Sequence, residues 1–153
     1  MNKEKIAFIP RQYLAVIAVL LAIMMSVLDG TITNIALPTL AHDFDVTPST
    51  AIWIVNAYQL VITMTLLSFA SLGDIYGYRR IFLIGISIFV GASLACTLST
   101  SFWMLTAARV IQGFGAACVM SVNTALIRLI YPPQILGRGM GVNAMVVAVS
   151  AAA

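Results

Sequence analysis

Two ionisable side chains, Asp29 and Arg109, fall inside long apolar stretches of this 153-residue sequence. A charge at the centre of a membrane helix costs about 2.5–3.5 kcal/mol on insertion scales, so each is a functional-site candidate by default. Asp29 lies six residues before Ile35, and Arg109 lies six residues after Trp103, the outer ends of their runs. At the rise of an α-helix each sits about 9 Å below the same interface. Antiparallel helices can therefore bring them together, directly or through water, beside a polar cavity. A carboxyl group in low dielectric favours its protonated form, whereas a neighbouring guanidinium favours the carboxylate. Alternation between those environments binds and releases a proton. This makes Asp29 a candidate proton carrier and Arg109 its modulator. The competing account is a static ion pair that sets helix register.

Around Arg109 the residues Gln112, Ala116, Met120 and Asn123 recur at helical spacing on one face. Gly113 and Ala117 form a small-xxx-small pair on an adjoining face, which permits close helix contact. Asn56, Gln59 and Thr63 make a weaker polar stripe earlier in the chain. Asn34, Asn56, Gln59, Gln112 and Asn123 are thus expected to line a cavity, with interhelical hydrogen bonding as the plainer alternative. A second cluster, Gly73-Asp74-Ile75-Tyr76-Gly77-Tyr78-Arg79-Arg80, puts glycines, a carboxylate and two arginines in a tight turn. There Asp74 is expected to cap a helix start or pair with an arginine, and the glycines permit positive φ. His42, Asp43 and Asp45 read as solvated loop residues, with no metal site implied. There is no G-x-x-x-x-G-K-[ST] sequence, no metal-ligand spacing, and no Ser/His/Asp set or carboxylate pair. The pattern favours gradient-driven transport without a cofactor over an ATP-driven pump or an enzyme.

The elements that must carry these residues follow from composition. The chain is 61% hydrophobic and only 8% charged, with mean hydropathy +1.04; a soluble domain is about 25% charged. A soluble enzyme domain is excluded, and the long unbroken runs do not resemble the short alternating strands of a membrane barrel. Spans are predicted at 13–35, 51–72, 81–98 and 103–127, with a fifth beginning at 139–153 after a cytoplasmic segment 1–12. The first four are 18 to 25 residues long, enough to cross the bilayer. Pro38 is expected to end the first helix, and Thr47-Pro48 to open the second as an N-cap and first-turn proline. Ser99-Thr100-Ser101 is the expected break between spans three and four, and Pro132-Pro133 falls in the fourth connection.

Lys3, Lys5, Arg11, Arg79, Arg80, Arg128 and Arg138 all fall at one end of these spans, and residues 36–50 and 99–102 hold no Lys or Arg. By the positive-inside rule the N-terminus is cytoplasmic. Trp53 and Trp103 mark the outer interface, and Tyr13, Tyr76, Tyr78 and Tyr131 the inner one. Cys96 and Cys118 lie within spans and read as small apolar residues, not as a disulfide framework. The net charge of +3 suits loops that face anionic lipid, not nucleic acid.

At these residues the chain resembles the major facilitator superfamily, in particular its fourteen-helix branch of drug:proton antiporters. Leu28-Asp29-Gly30-Thr31-Ile32-Thr33-Asn34-Ile35-Ala36-Leu37-Pro38 resembles the LDxTIVNVALP signature of helix one. Leu72 to Arg80 resembles the GxLaDrxGrk loop between helices two and three, with Ala70, Ile75 and Tyr78 departing from it. Leu105 to Ala117 resembles the lxxxRxxqGxgaa motif of helix four. The resemblance implies an all-α helical bundle in which Asp29 and Arg109 take part in proton coupling. It implies that the loop with Gly73, Asp74, Gly77, Arg79 and Arg80 acts in switching between inward- and outward-facing states. Ending in an apolar run, the chain is expected to be the N-terminal part of a bacterial inner-membrane exporter, inactive without its C-terminal bundle. The expected partners are the lipid bilayer, protons and small amphipathic compounds, including cations. A proton-coupled symporter, or a small structural or regulatory membrane protein, is the alternative.

Overall fold

Inside hydrocarbon every backbone N–H and C=O must find a partner in its own segment, so uninterrupted apolar runs fold as helices. The computed structural model describes residues 4–130 and 136–152. It shows α1 (Glu4–Asp43), α2 (Pro48–Tyr76), α3 (Tyr78–Thr97), α4 (Phe102–Ile130) and α5 (Leu136–Ala152), with no strand among the described residues. Stretches of the first four are long and apolar enough to cross a membrane: Ile17–Asp43, Pro48–Tyr76, Tyr78–Thr97 and Phe102–Asn123.

The expected punctuation is largely present. Thr47 caps α2, its hydroxyl accepting from the Thr50 N–H, and Pro48 occupies the first turn. Helices α3 and α4 separate at Ser99–Ser101, where the Met104 N–H donates to the Ser101 hydroxyl. Helix α5 begins at Leu136, ahead of the expected start at 139. Residues 131–135, with Tyr131 and Pro132-Pro133, lie outside the described residues, and α1 already begins within the segment 1–12.

One expectation fails. Pro38 does not end α1, which continues to Asp43. An interior proline removes one backbone bond and costs about 3 kcal/mol, so the last turn needs another anchor. It has one: Leu40, Phe44 and Val46 pack against buried Ile54, Phe102 and Leu105. Backbone bonds from Phe44 N–H to the Leu40 carbonyl and from Val46 N–H to the Ala41 carbonyl close the end.

Helix α4 occupies the centre, with α3 and α2 packed along it and α1 and α5 in lesser contact. Its buried surface runs through Gln112, Ala116, Ala117, Val119 and Val122. Phe82, Ile81, Val19 and Ile23 join it in one apolar cluster; Tyr58, Ile62 and Phe89 join it in another. The outer surface is apolar as well, with Leu67, Met64, Ile35 and Trp103 at least 70% exposed. Such a surface suits lipid and not water.

Small residues set the helix spacing. Gly113 abuts the Tyr58 carbonyl and Val61 of α2, in keeping with the expected seam. The tighter seam involves Gly115 of α4 and Gly85 of α3, which the sequence pattern did not single out. A Cβ on Gly115 would stand 2.6 Å from the Phe89 amide nitrogen and 2.8 Å from the Gly85 carbonyl. Those neighbours are backbone and cannot swing aside. We expect Gly115→Ala to destabilise the bundle by about 1–3 kcal/mol. Gly91→Ala, with nothing within 4 Å, should be neutral or gain up to about 1 kcal/mol. Thermal unfolding of the detergent-solubilised protein tests the contrast.

Candidate functional site

Asp29 lies two-thirds of the way along α1, on the side turned toward α4. There the Arg109 Nη1 donates to Asp29 Oδ2 at 2.6 Å, so the two membrane-embedded charges meet directly. The side chains are mostly removed from solvent, 11% exposed for Arg109 and 20% for Asp29. One turn further along α4, Gln112 Nε2 donates to Asp29 Oδ1 at 3.1 Å, while Gln112 Oε1 accepts from Arg109 Nη1 at 3.0 Å. One turn further along α1, the Thr33 hydroxyl donates to the Asp29 carbonyl at 2.7 Å and accepts from Arg109 Nη2. Both carboxylate oxygens are therefore engaged. Charge-assisted bonds of this kind are roughly twice as strong as neutral ones, and here they tie α1 to α4.

Two further helices close the site. The Cys96 thiol of α3 donates to Gln112 Oε1 at 3.6 Å. The Tyr58 ring of α2 lies 6.0 Å from the Arg109 guanidinium carbon, at the limit of a cation–π contact. The Tyr58 hydroxyl and Arg109 Nε are buried without a hydrogen-bond partner. The network thus carries strongly paired groups beside unpaired ones.

Cavities flank the pair. One of about 240 Å³ lies between α1 and α2, with Ser26, Thr31, Asn34, Tyr58 and Gln59 among its walls and Met120 reaching in from α4. Another, of about 310 Å³, lies between α1, α3 and α4 and includes Asp29, Thr33, Cys96 and Arg109. A third, apolar, of about 260 Å³, separates α1 from α3 nearer the other end.

The expected lining residues divide among different places. Asn34 and Gln59 face the α1–α2 cavity. Asn56 is exposed and lines none of these cavities. Gln112 is fully buried inside the ion-pair network, and Asn123 is buried further along α4. Cys118 is a buried apolar residue, as expected. Cys96 is not merely a small apolar residue, since its thiol reaches Gln112. Thr33, Tyr58 and Cys96 join the site unannounced. Only Thr33 carried a signal, its helical spacing of four from Asp29.

The turn between α2 and α3 narrows to one residue. Gly77 has φ +91° and ψ 130°, and its N–H bonds the Gly73 carbonyl; that conformation is hostile to any side chain. Asp74 neither caps α3, which has no side-chain cap, nor pairs with an arginine among the described residues. Instead it accepts a hydrogen bond from the Tyr78 hydroxyl across the turn. Arg79 and Arg80 are exposed. His42 and Asp43 are exposed in the last turn of α1, not in a loop, with 3.8 Å between their charged atoms. Asp45, at φ 51°, turns the chain toward α2.

The model of the Major Facilitator Superfamily matches residues 19–153. The chain belongs to that superfamily. Its relatives in the superfamily include an uncharacterized transporter, YebQ, of Escherichia coli, 59% identical over 145 residues, 95% of this chain and 32% of the relative. Riboflavin transporter RibZ of Clostridioides difficile is 34% identical over 91% of this chain and 30% of its own length. Drug efflux pump JefA of Mycobacterium tuberculosis is 40% identical over 86% of this chain and 26% of its own. The chain therefore spans about a third or less of the length of these curated relatives. Within the superfamily bundle, Asp29, the turn at Gly77 and Arg109 fall on α1, the α2–α3 connection and α4 of a multi-pass membrane protein, each in the stretch whose sequence carried the resemblance.

The pair's energetics can be measured. Removing one partner of a buried ion pair leaves an uncompensated charge and costs about 3–5 kcal/mol. Arg109→Met alone should therefore lower stability strongly, and Asp29→Asn in the same molecule should restore much of the loss. A double-mutant cycle on thermal unfolding is expected to give a coupling of about 2 kcal/mol or more. Additive effects would mean that the contact carries no energy.

Proposed function

We propose that this chain forms part of the N-terminal bundle of a proton-driven exporter of small amphipathic compounds. The observation that carries the reading is the Asp29–Arg109 pair at 2.6 Å, with Gln112 and Thr33 completing its shell. A buried carboxylate held by one guanidinium has two states. In one it is ionised and paired; in the other it takes a proton and releases the arginine. The two states bind α1 to α4 with different strength, which is what alternating access requires of a coupling site. Proton gain from outside and proton loss to the cytoplasm would drive the opposite movement of substrate.

The turn at Gly77 supports the conformational half of the cycle. A one-residue connection at positive φ joins α2 to α3, and the Asp74–Tyr78 hydrogen bond spans it. Gly73, Asp74, Gly77, Arg79 and Arg80 would act as a contact that forms in one state and parts in the other, the exposed arginines meeting the second bundle. The α1–α2 cavity with Asn34 and Gln59 offers hydrogen bonds among apolar walls, which suits amphipathic substrates. The likeness to JefA, a drug efflux pump, favours export. The likeness to RibZ, a riboflavin transporter, favours a flavin-like compound as a second substrate candidate. The positive-inside bias supports a cytoplasmic N-terminus in a bacterial cell membrane.

The test is efflux from cells that express the complete gene encoding this sequence, with ethidium and riboflavin as probes. Asp29→Asn, which keeps the shape and discards the charge, should reduce gradient-driven efflux to the level of cells without the gene. Undiminished export by that variant would exclude Asp29 as proton carrier.

A further inference from the structure

The two cavities that flank the ion pair are unlike in where they lead. The α1–α2 cavity is walled by the middle of α1, from Ser26 to Asn34, and contains neither member of the pair. The 310 Å³ cavity contains both Asp29 and Arg109 and extends toward the ends of three helices. Leu40 on its wall is eleven residues beyond Asp29 along α1, about 16 Å at helical rise. Phe44 lies past the end of α1, Thr97 is the last residue of α3, and Ser99 precedes α4. This is the end of the bundle without Lys or Arg in its connections.

The geometry points to this vestibule as an aqueous route by which protons from the non-cytoplasmic side reach Asp29; only a pocket of about 10 Å³, lined by Thr33, Tyr58 and Arg109 among others, lies between it and the α1–α2 cavity. The inference deepens the exporter reading and rests on it. Four observations carry it. The carboxylate and guanidinium form part of the cavity wall and are not sealed behind it. Hydroxyls of Ser93, Thr97 and Ser99 line the α3 side, giving water partners along the way. Its volume of about 310 Å³ holds several waters. The Cys96 thiol joins the same wall, bonded to the Gln112 amide that holds Asp29.

The charged and titratable surroundings of Asp29 are simple. Arg109 faces it from α4, Tyr58 stands behind that arginine on α2, and Cys96 reaches it through Gln112 from α3. The other acidic residues, Glu4, Asp43, Asp45 and Asp74, lie at or beyond helix ends. Among the described residues a proton that travels the vestibule therefore meets Asp29 as its one carboxylate, while Asn34 and Gln59 line the cavity on the other side of α1.

Cys96 makes the route measurable without any transport. Cells expressing the complete protein are treated from outside with membrane-impermeant sulfonatoethyl methanethiosulfonate, and labelling at Cys96 is taken as the difference from Cys96→Ala. We expect Cys96 to react at least about tenfold faster from outside than in inverted vesicles treated the same way. Buried Cys118 should stay unlabelled. Ala36→Phe and, on the opposite wall, Thr97→Phe should each slow this labelling, and slow proton-driven ethidium efflux in parallel at unchanged membrane abundance. Two plugs on different helices guard against one failing to fold. Labelling of Cys96 no faster than Cys118, labelling only from the cytoplasmic side, or plugs that block labelling while efflux proceeds would each overturn the route. Failure of the exporter reading shows differently: Asp29→Asn would export normally while Cys96 still labelled from outside.

Discussion

The bundle depends on one costly interaction, a carboxylate and a guanidinium paired within a structure otherwise made of apolar helices. Neither charge is tolerable alone in that setting. Together, with Gln112 and Thr33 taking up most of the remaining hydrogen bonds, they fasten α1 to α4. Among the described residues the Tyr58 hydroxyl and Arg109 Nε, at the edge of this network, have no hydrogen-bond partner.

Packing sets that contact apart from the rest. Gly85 and Gly115 let α3 approach α4 at backbone distance, and Gly113 does the same for α2. Such seams are intolerant of change, and they make α2, α3 and α4 a firm unit. Helix α1 meets α4 less extensively, with open cavities along both of its flanks. The polar bridge therefore joins α1 to α4 where their apolar packing is limited. The hydrophobic cluster under Leu40 and Phe44 holds the far end of α1.

Much of this was legible beforehand because membranes restrict the options. Long uncharged runs specify helices, and two interruptions at equal depth allow a meeting point. The polar face of α4 was also readable from its periodicity. The failures share a cause. The sequence reading took Pro38 as a stop, but a proline only weakens a helix locally, and tertiary anchoring of the next turns outweighed it. Asp74 was read as a cap or ion-pair partner, yet the turn folds so tightly at Gly77 that Tyr78 reaches it first.

What composition and periodicity determined by themselves was the class of molecule and the number of apolar helices; they allowed Asp29 and Arg109 to meet, and the structure showed that they do. These follow from solvation, which acts on each residue according to its type and depth. Tertiary structure alone decided that Gln112 bridges the pair rather than lining a cavity, and that Tyr58 and Cys96 belong to the site. It also decided that both members of the pair line the cavity between α1, α3 and α4. Those outcomes depend on helix rotation and on approach distances set by Gly85, Gly113 and Gly115. A difference of one ångström in helix spacing decides which side chains touch, and no local pattern in the chain encodes that distance.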